Sequence, residues 1–304
     1  MTRVVAFGGG HGLSASLRAL TTTPDVDVTA VVTVGDDGGS SGRLRADRDV
    51  LPPGDLRQAL AALASRSDVA QLFQYRFSGS DDLAGHPVGN LLLCGLLEMY
   101  SDPVAALDHA ARIVGARGRV LPMSERPITI SGDVREPGGQ VRTIVGQHSL
   151  ASSGGEVEAV RLTPIDPPAC QEAVGAVARA DWLIFGPGSW YTSVIPHLLV
   201  PGLASAILAS PAERLVILNL ATEKETMGLS LPDHLDALTR YLPGLRVDVV
   251  LADGKAVEDP EPVQSAAAAL GARVVFAPIA MDDGTPRHDP SALASALLPL
   301  LTTA

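Results

Sequence analysis

The chain has 304 residues, of which 46% are apolar and 19% charged, and it carries a formal net charge of −11 at pH 7. That length can bury a sizeable core, and so acidic a balance excludes nucleic acid as a general partner, since neutralising a phosphate backbone takes basic residues. Cys94 and Cys170 have no C-x-x-C or metal-ligand spacing, and with no basic leader and no uninterrupted apolar 18-mer the expectation is a cytoplasmic protein with free thiols and no membrane insertion.

Arg3 to Phe7 reads as a short buried strand. Gly8, Gly9, Gly10, His11 and Gly12 then turn into the amphipathic run from Leu13 to Leu20. Glycines between a strand and a helix let the backbone close on a ligand and leave helix amides facing an anion. The expected guest is a phosphate or pyrophosphate; the competing reading is a structural turn. The spacing departs from G-x-G-x-x-G, and the Gly-Lys-Ser/Thr ending of a P-loop is missing, which argues against an ordinary ATPase.

A second strand over Val28 to Val34 runs into Gly35-Asp36-Asp37-Gly38-Gly39-Ser40-Ser41-Gly42-Arg43-Leu44-Arg45. Asp36 leaves the strand first, where nucleotide folds hold a ribose or sugar hydroxyl. Asp37 would share that work or hold a divalent ion against the phosphates. Arg43 and Arg45 share a face if this segment is extended, and either would fork onto a phosphate; the bland alternative is solvated charge. Asp55 and Gln58 read as a capping box, which gives Asp55 a sufficient structural task. Arg57 sits at the wrong end of its helix for the dipole and calls for an anionic partner.

Residues 68 to 78 read as a short helix, and another runs from about Pro87 to Tyr100. His86, just before it, is either a proton-transfer group or a local hydrogen-bond partner. Gly89 inside that helix implies close approach of another backbone or a ligand, with Asn90 beside it. Asp102-Pro103 caps the next helix.

From about 119 to 163 the pattern alternates without long helices, and Glu136-Pro137-Gly138-Gly139 reads as a hairpin turn. We expect a small antiparallel, β-rich elaboration of one domain spanning 1–304. A strand from Trp182 to Phe185 then ends in Gly186-Pro187-Gly188-Ser189-Trp190-Tyr191-Thr192-Ser193. Amides near Gly188 and Ser189 would hold a second phosphate, while Trp190 and Tyr191 either stack on a base or sugar or fill the core. Further strands are expected at 215–220, 246–251 and 273–276, with Asp233 or the preceding proline and Asp289 opening helices. The rhythm predicts an α/β fold: a doubly wound, mostly parallel Rossmann-like sheet, helices on both faces, and one crevice between two glycine loops.

Taken in order, GGGHGLS, TVGDDGGSSGRLR, PPGDLRQAL, GHPVGNLLL and ADWLIFGPGSWYTSVIPHLLVPG closely resemble the YvcK/CofD-like family from residue 4 to about 250. The second and fifth runs look particularly like its gluconeogenesis-factor branch. That branch implies a cytoplasmic protein binding a uridine-diphosphate sugar such as UDP-N-acetylglucosamine, with a role linking carbon metabolism to cell-wall synthesis and cell shape. The 2-phospho-L-lactate transferase branch instead implies transfer of a phospholactyl group to a deazaflavin, release of a guanine nucleotide and a divalent metal such as Mg²⁺. In that case Asp36 and Asp37 are the candidate metal ligands, and Asp37 and His86 the candidate catalytic groups. By motif, Gly9, Gly10 and Gly12 would face the diphosphate, with His11 standing where the family usually has threonine. Asp36, Asp37 and Arg43 would line the crevice, Asn90 would border it, and Gly188, Ser189 and Tyr191 would close it. The stretch NLATEKETMGLSLPDH departs from the family form, losing an acid at Met227 while keeping His234. An NAD-dependent dehydrogenase is disfavoured by the glycine spacing and the second loop. A homodimer is the expected assembly.

Overall fold

The computed structural model describes residues 1–221, 226 and 229–302. Strand β1 (Thr2–Gly8) leads into α1 (Gly10–Thr22), and β2 (Val26–Val32) follows. Four helices come next, α2 (Gly39–Asp47), α3 (Pro53–Leu63), α4 (Ser67–Gln74) and α5 (Val88–Met99), and then α6 (Pro103–Val114) and β3 (Arg119–Pro122). Strands β4 (Thr129–Arg135) and β5 (Val141–Val145), helix α7 (Gln147–Ala151) and strand β6 (Glu156–Thr163) form a separate group. The chain then passes through α8 (Gln171–Arg179), β7 (Trp182–Phe185), a π-helical turn (Trp190–Val194), α9 (Ile195–Leu198), α10 (Pro201–Ala209) and β8 (Glu213–Ile217). It ends with α11 (Leu231–Tyr241), β9 (Val249–Ala252), α12 (Pro260–Ala269), β10 (Arg273–Phe276) and α13 (Pro290–Leu301).

The main sheet has the order β10-β9-β8-β7-β1-β2-β3, and every pairing in it is parallel. Val4 to Phe7 and Trp182 to Phe185 are buried throughout, because strands at the centre of a helix-covered parallel sheet have no solvent face. β1 pairs with both β2 and β7, so the direction of winding reverses between β1 and β7. This is the topological switch point, where the loops leaving the carboxyl ends of the two strands part and frame a crevice. The expected doubly wound fold is therefore present. No single helix among the described residues is long and apolar enough to cross a membrane.

The smaller sheet has the antiparallel order β5-β4-β6. Its first hairpin turns where expected, with the Glu136 amide donating to the Gln140 carbonyl at 2.9 Å. The elaboration is shorter than expected, because Arg119 to Pro122 pairs in parallel with β2 and belongs to the main sheet. A strand of four residues carries too little pattern to separate it from the alternating run behind it. Two further corrections concern residues near the crevice. Gly39–Asp47 is helical rather than extended, so Arg43 and Arg45 do not share a face. Helix α3 begins at Pro53 with Pro52 as its N-cap and no side-chain cap, so Asp55 lies inside the helix and caps nothing.

Candidate functional site

The first glycine loop meets the second directly. A Cβ on Gly12 would sit 2.2 Å from the Pro187 carbonyl oxygen and 2.6 Å from the Gly188 Cα. Gly12 therefore lets the two loops touch on the side of its α-carbon. Gly10 has φ +58, which favours glycine, and it opens α1 without any side-chain cap. The Gly10 amide serves the Asp55 carboxyl, and the His11 and Gly12 amides of the first turn are left for another acceptor. His11, in that first turn, is exposed.

The second loop is clamped by Asn219, which follows β8. Its Oδ1 accepts from the Gly188 amide and its Nδ2 donates to the Gly188 carbonyl, both at 3.0 Å. Thr33, past β2, ties the same region together by sending its hydroxyl toward the carbonyls of Gly8 (3.3 Å) and Ser193 (3.1 Å). Asn219→Ala removes both clamp bonds in a buried site, and a loss of about 2 kcal/mol in urea denaturation is expected.

Beneath the first loop lies an acidic floor that the sequence did not reveal. Asp55 is 6% exposed, and its Oδ2 would be 2.5 Å from a Cβ on Gly9. Burial, and then the Asp36 charge, push its carboxyl from the usual 3.8 up to about 7, against the opposing pull of the Gly10 amide, the Gln147 side chain and Arg57. Asp36 accepts from the Gly38 amide at 3.0 Å, and its Oδ2 and the Ser41 hydroxyl crowd Gly54, at 2.2 and 2.5 Å from where a Cβ would be. Arg57 is buried behind both acids and donates to Gln74, while burial, and then Arg76, bring its guanidinium down to about 10. Asp55 and Asp36 act on it as nearby charges, but among the described residues no ion pair joins it to either, and its Nε has no hydrogen-bond partner. The Asp55 Oδ2 atom has no hydrogen-bond partner. A buried orphan oxygen beside a second carboxylate and a hydroxyl is a hard donor set that suits Mg²⁺. Asp55 thereby joins Asp36 as a candidate ligand.

Asp37 turns the other way. Its Oδ1 accepts from the His148 amide at 2.9 Å, and its Oδ2 would be 2.1 Å from a Cβ on Gly146. It fastens the elaboration to the loop after β2. Among the described residues the only cluster of three metal-type ligands is Glu125, Cys170 and Glu172, and it includes none of Asp36, Asp37 and Asp55. Burial pushes the Cys170 thiol up to about 12, so it stays protonated.

On the α2 side, Ser40, His86 and Asn90 form a buried chain. Asn90 Nδ2 donates to Ser40 Oγ at 2.9 Å, which leaves the hydroxyl proton for His86 Nδ1 at 2.7 Å. Burial, and then Arg43 and Arg76, hold His86 below its usual value, so the ring is the neutral acceptor. Ser40 was not singled out in the sequence, because serine in a glycine-serine loop carries no distinguishing signal. Arg43 donates to the Ala84 carbonyl at 2.7 Å and braces the loop before His86. Gly89 makes a close approach, but to Arg57 and Phe73 of neighbouring helices and not to a ligand.

Tyr191 and Trp190 take the core-filling alternative. Both are fully buried, Tyr191 edge-on to Tyr241 and Trp190 edge-on to His234, so neither closes the crevice over a base. Ser189 N-caps the π-helical turn and receives the amides of Ser193 and Val194. The substituted acid at Met227 lies outside the described residues.

The chain matches the 2-phospho-L-lactate transferase CofD family over residues 4–279. A relative from Mycobacterium tuberculosis is 52% identical, over 97% of this chain and 89% of its own length. The gluconeogenesis factor of Halalkalibacterium halodurans is 43% identical over 84% of this chain and 79% of that protein. A crystal structure of a Bacillus halodurans protein superposes with a TM-score of 0.87 at 37% identity, covering 98% of this chain and 100% of that one.

Proposed function

Because the chain belongs to the CofD/YvcK family, we propose that it binds a nucleoside diphosphate sugar, of the UDP-N-acetylglucosamine class, in the crevice between β1 and β7. We read it as a regulator linking carbon metabolism to cell-wall synthesis and cell shape. The observation that carries this reading is the uncapped start of α1 at the switch point, held against the second glycine loop by the Gly12 contact. A pyrophosphate there would take the orphan amides and the positive end of the helix dipole. Asp36, at the end of β2, stands where a sugar hydroxyl would be held. The kinship with proteins named gluconeogenesis factor supports the regulatory output.

A second reading, a metal-dependent transferase acting on a nucleotide-diphosphate-linked donor, is favoured by the Asp36 and Asp55 pair with its orphan oxygen. When bound, Mg²⁺ would offset the charge of a departing phosphate. In this reading an acceptor hydroxyl would pass its proton to the Ser40 oxygen as Ser40 hands its own proton to Nδ1 of the neutral His86 ring.

Calorimetric titration with UDP-N-acetylglucosamine, UDP-glucose, GDP and NAD, each with and without Mg²⁺, separates the two readings when products are followed by mass analysis. Uridine-sugar binding without conversion supports the regulator. Preference for GDP with metal, or any product, supports the transferase. Failure of every uridine-diphosphate sugar to bind overturns the first reading.

A further inference from the structure

The smaller sheet leaves β5 at its edge, since the strand order is β5-β4-β6. Two backbone bonds fix which of its groups face inward. The Glu136 amide donates to Gln140 at 2.9 Å at one end of the hairpin, and the Gly146 amide donates to Ile130 at 2.8 Å at the other. In an antiparallel ladder bonded and non-bonded residues alternate. Residues Arg142 and Ile144 therefore point their main-chain groups at β4, and Val141, Thr143 and Val145 point theirs away from it.

Those same three residues share one face of the strand. Val141 is 42% exposed and Val145 is 64% exposed, an unusual amount for valine in a strand. Such edges are normally blunted by proline or lysine, and Val141 to Val145 contains neither. Arg142, the one charge, is paired with Glu136.

We propose that β5 pairs antiparallel with β5 of a second copy of this chain, about a two-fold axis passing through Thr143. The sequence Val-Arg-Thr-Ile-Val has valine at equal distances on either side of its central threonine. In that register Thr143 meets Thr143 of the second copy, and Val141 meets Val145 of the second copy twice over. Every outward N–H and C=O of the three residues is then exchanged, and the exposed valines cover one another as cross-strand pairs. Arg142 falls opposite Ile144, so like charges do not meet. A slip by one residue would bring inward-facing groups to the seam and lose the pairing. It is this self-matching pattern that selects a second copy over an unrelated strand. A strand pair of this length buries less than the roughly 1,200 Å² of a stable interface, so the dimer is expected to dissociate on dilution.

Sedimentation velocity over a concentration series tests this with the full chain. The wild type is expected to pass from monomer to dimer, and V141K/V145K, altered only at exposed positions, to remain monomeric at every concentration with an unchanged melting temperature. A cysteine at Thr143 supplies a second readout. Bonded antiparallel partners lie about 5.5 Å apart at Cα, within disulfide range, and both native cysteines are buried. T143C is expected to form a covalent dimer on mild oxidation, and R142C to form none. A wild type that stays monomeric throughout, or a dimer that persists in V141K/V145K while T143C fails to cross-link, overturns the proposal.

Discussion

Gly12→Ala is expected to cost about 3 kcal/mol of stability and to lower affinity for a nucleotide-sugar ligand by at least about tenfold. The added carbon would lie 2.2 Å from the Pro187 oxygen, and that oxygen has little freedom to withdraw. The next residue, Gly188, is held on both sides by Asn219, and the strand behind it is buried and paired with β1 and β8. The loops must therefore separate, and with them the two halves of the crevice. Gly10→Ala is the informative contrast. Its φ of +58 strains any other residue by about 1–2 kcal/mol, yet the nearest atom to an added carbon is 3.9 Å away, so the loops remain together. Urea denaturation of both variants, beside a binding titration, distinguishes a backbone strain from a lost contact.

Asp55→Asn is expected to make the protein more stable at neutral and alkaline pH while impairing its site. The sign follows from the proton. The Asp55 carboxyl is raised from 3.8 to about 7 in the folded chain, so the folded state holds the proton more tightly than the unfolded one. Below pH 4 both states are protonated and the residue costs nothing. Stability then falls as pH rises from about 4 to about 7, and above that the full penalty, of the order of 4 kcal/mol, persists. Asparagine keeps the shape and carries no charge, so the variant should match the wild type near pH 4 and exceed it by several degrees in melting temperature at pH 8. Stability given up at one buried acid is the pattern of a group retained for binding or chemistry. If Asp55 helps to hold Mg²⁺, the ion should stabilise the wild type at pH 8 and leave the variant unmoved. A variant no more stable than wild type at pH 8 would mean that the carboxylate is satisfied as it stands.

The strands, the two glycine loops and the hairpin were legible because each rests on a local signal. Strand-glycine-helix, alternation around Pro-Gly-Gly, and aspartate before proline at residues 102 and 289 all declare themselves within a few positions, and both of those aspartates do cap their helices. The departures share one cause, which is that a side chain's partner lies far along the chain. Asp55 followed by Gln58 looks the same whether it caps its own helix or underlies a distant loop. Asp37 looked like the twin of Asp36, yet one residue of rotation sends it to the elaboration. Trp190 and Tyr191 beside a glycine loop suit a base as well as a core, and only the packing of Tyr241 and His234 against them decides between the two. Arg57 was the partial exception: its poor position in the helix dipole called for an acid, and Asp55 and Asp36 lie close enough to act on its charge without pairing with it.

A nucleotide sugar bound at the switch point would touch the backbone of both glycine loops. Hydrogen exchange of the wild type with and without UDP-N-acetylglucosamine reads this out residue by residue. Protection is expected at Gly9 to Leu13 and around Gly188 and Ser189, the two loops joined by the Gly12 contact, with Asp36 to Ser41 following. Protection confined to the smaller sheet or to the outer helices, with both glycine loops unchanged on saturation, would contradict the placement of the ligand at the β1 and β7 switch point.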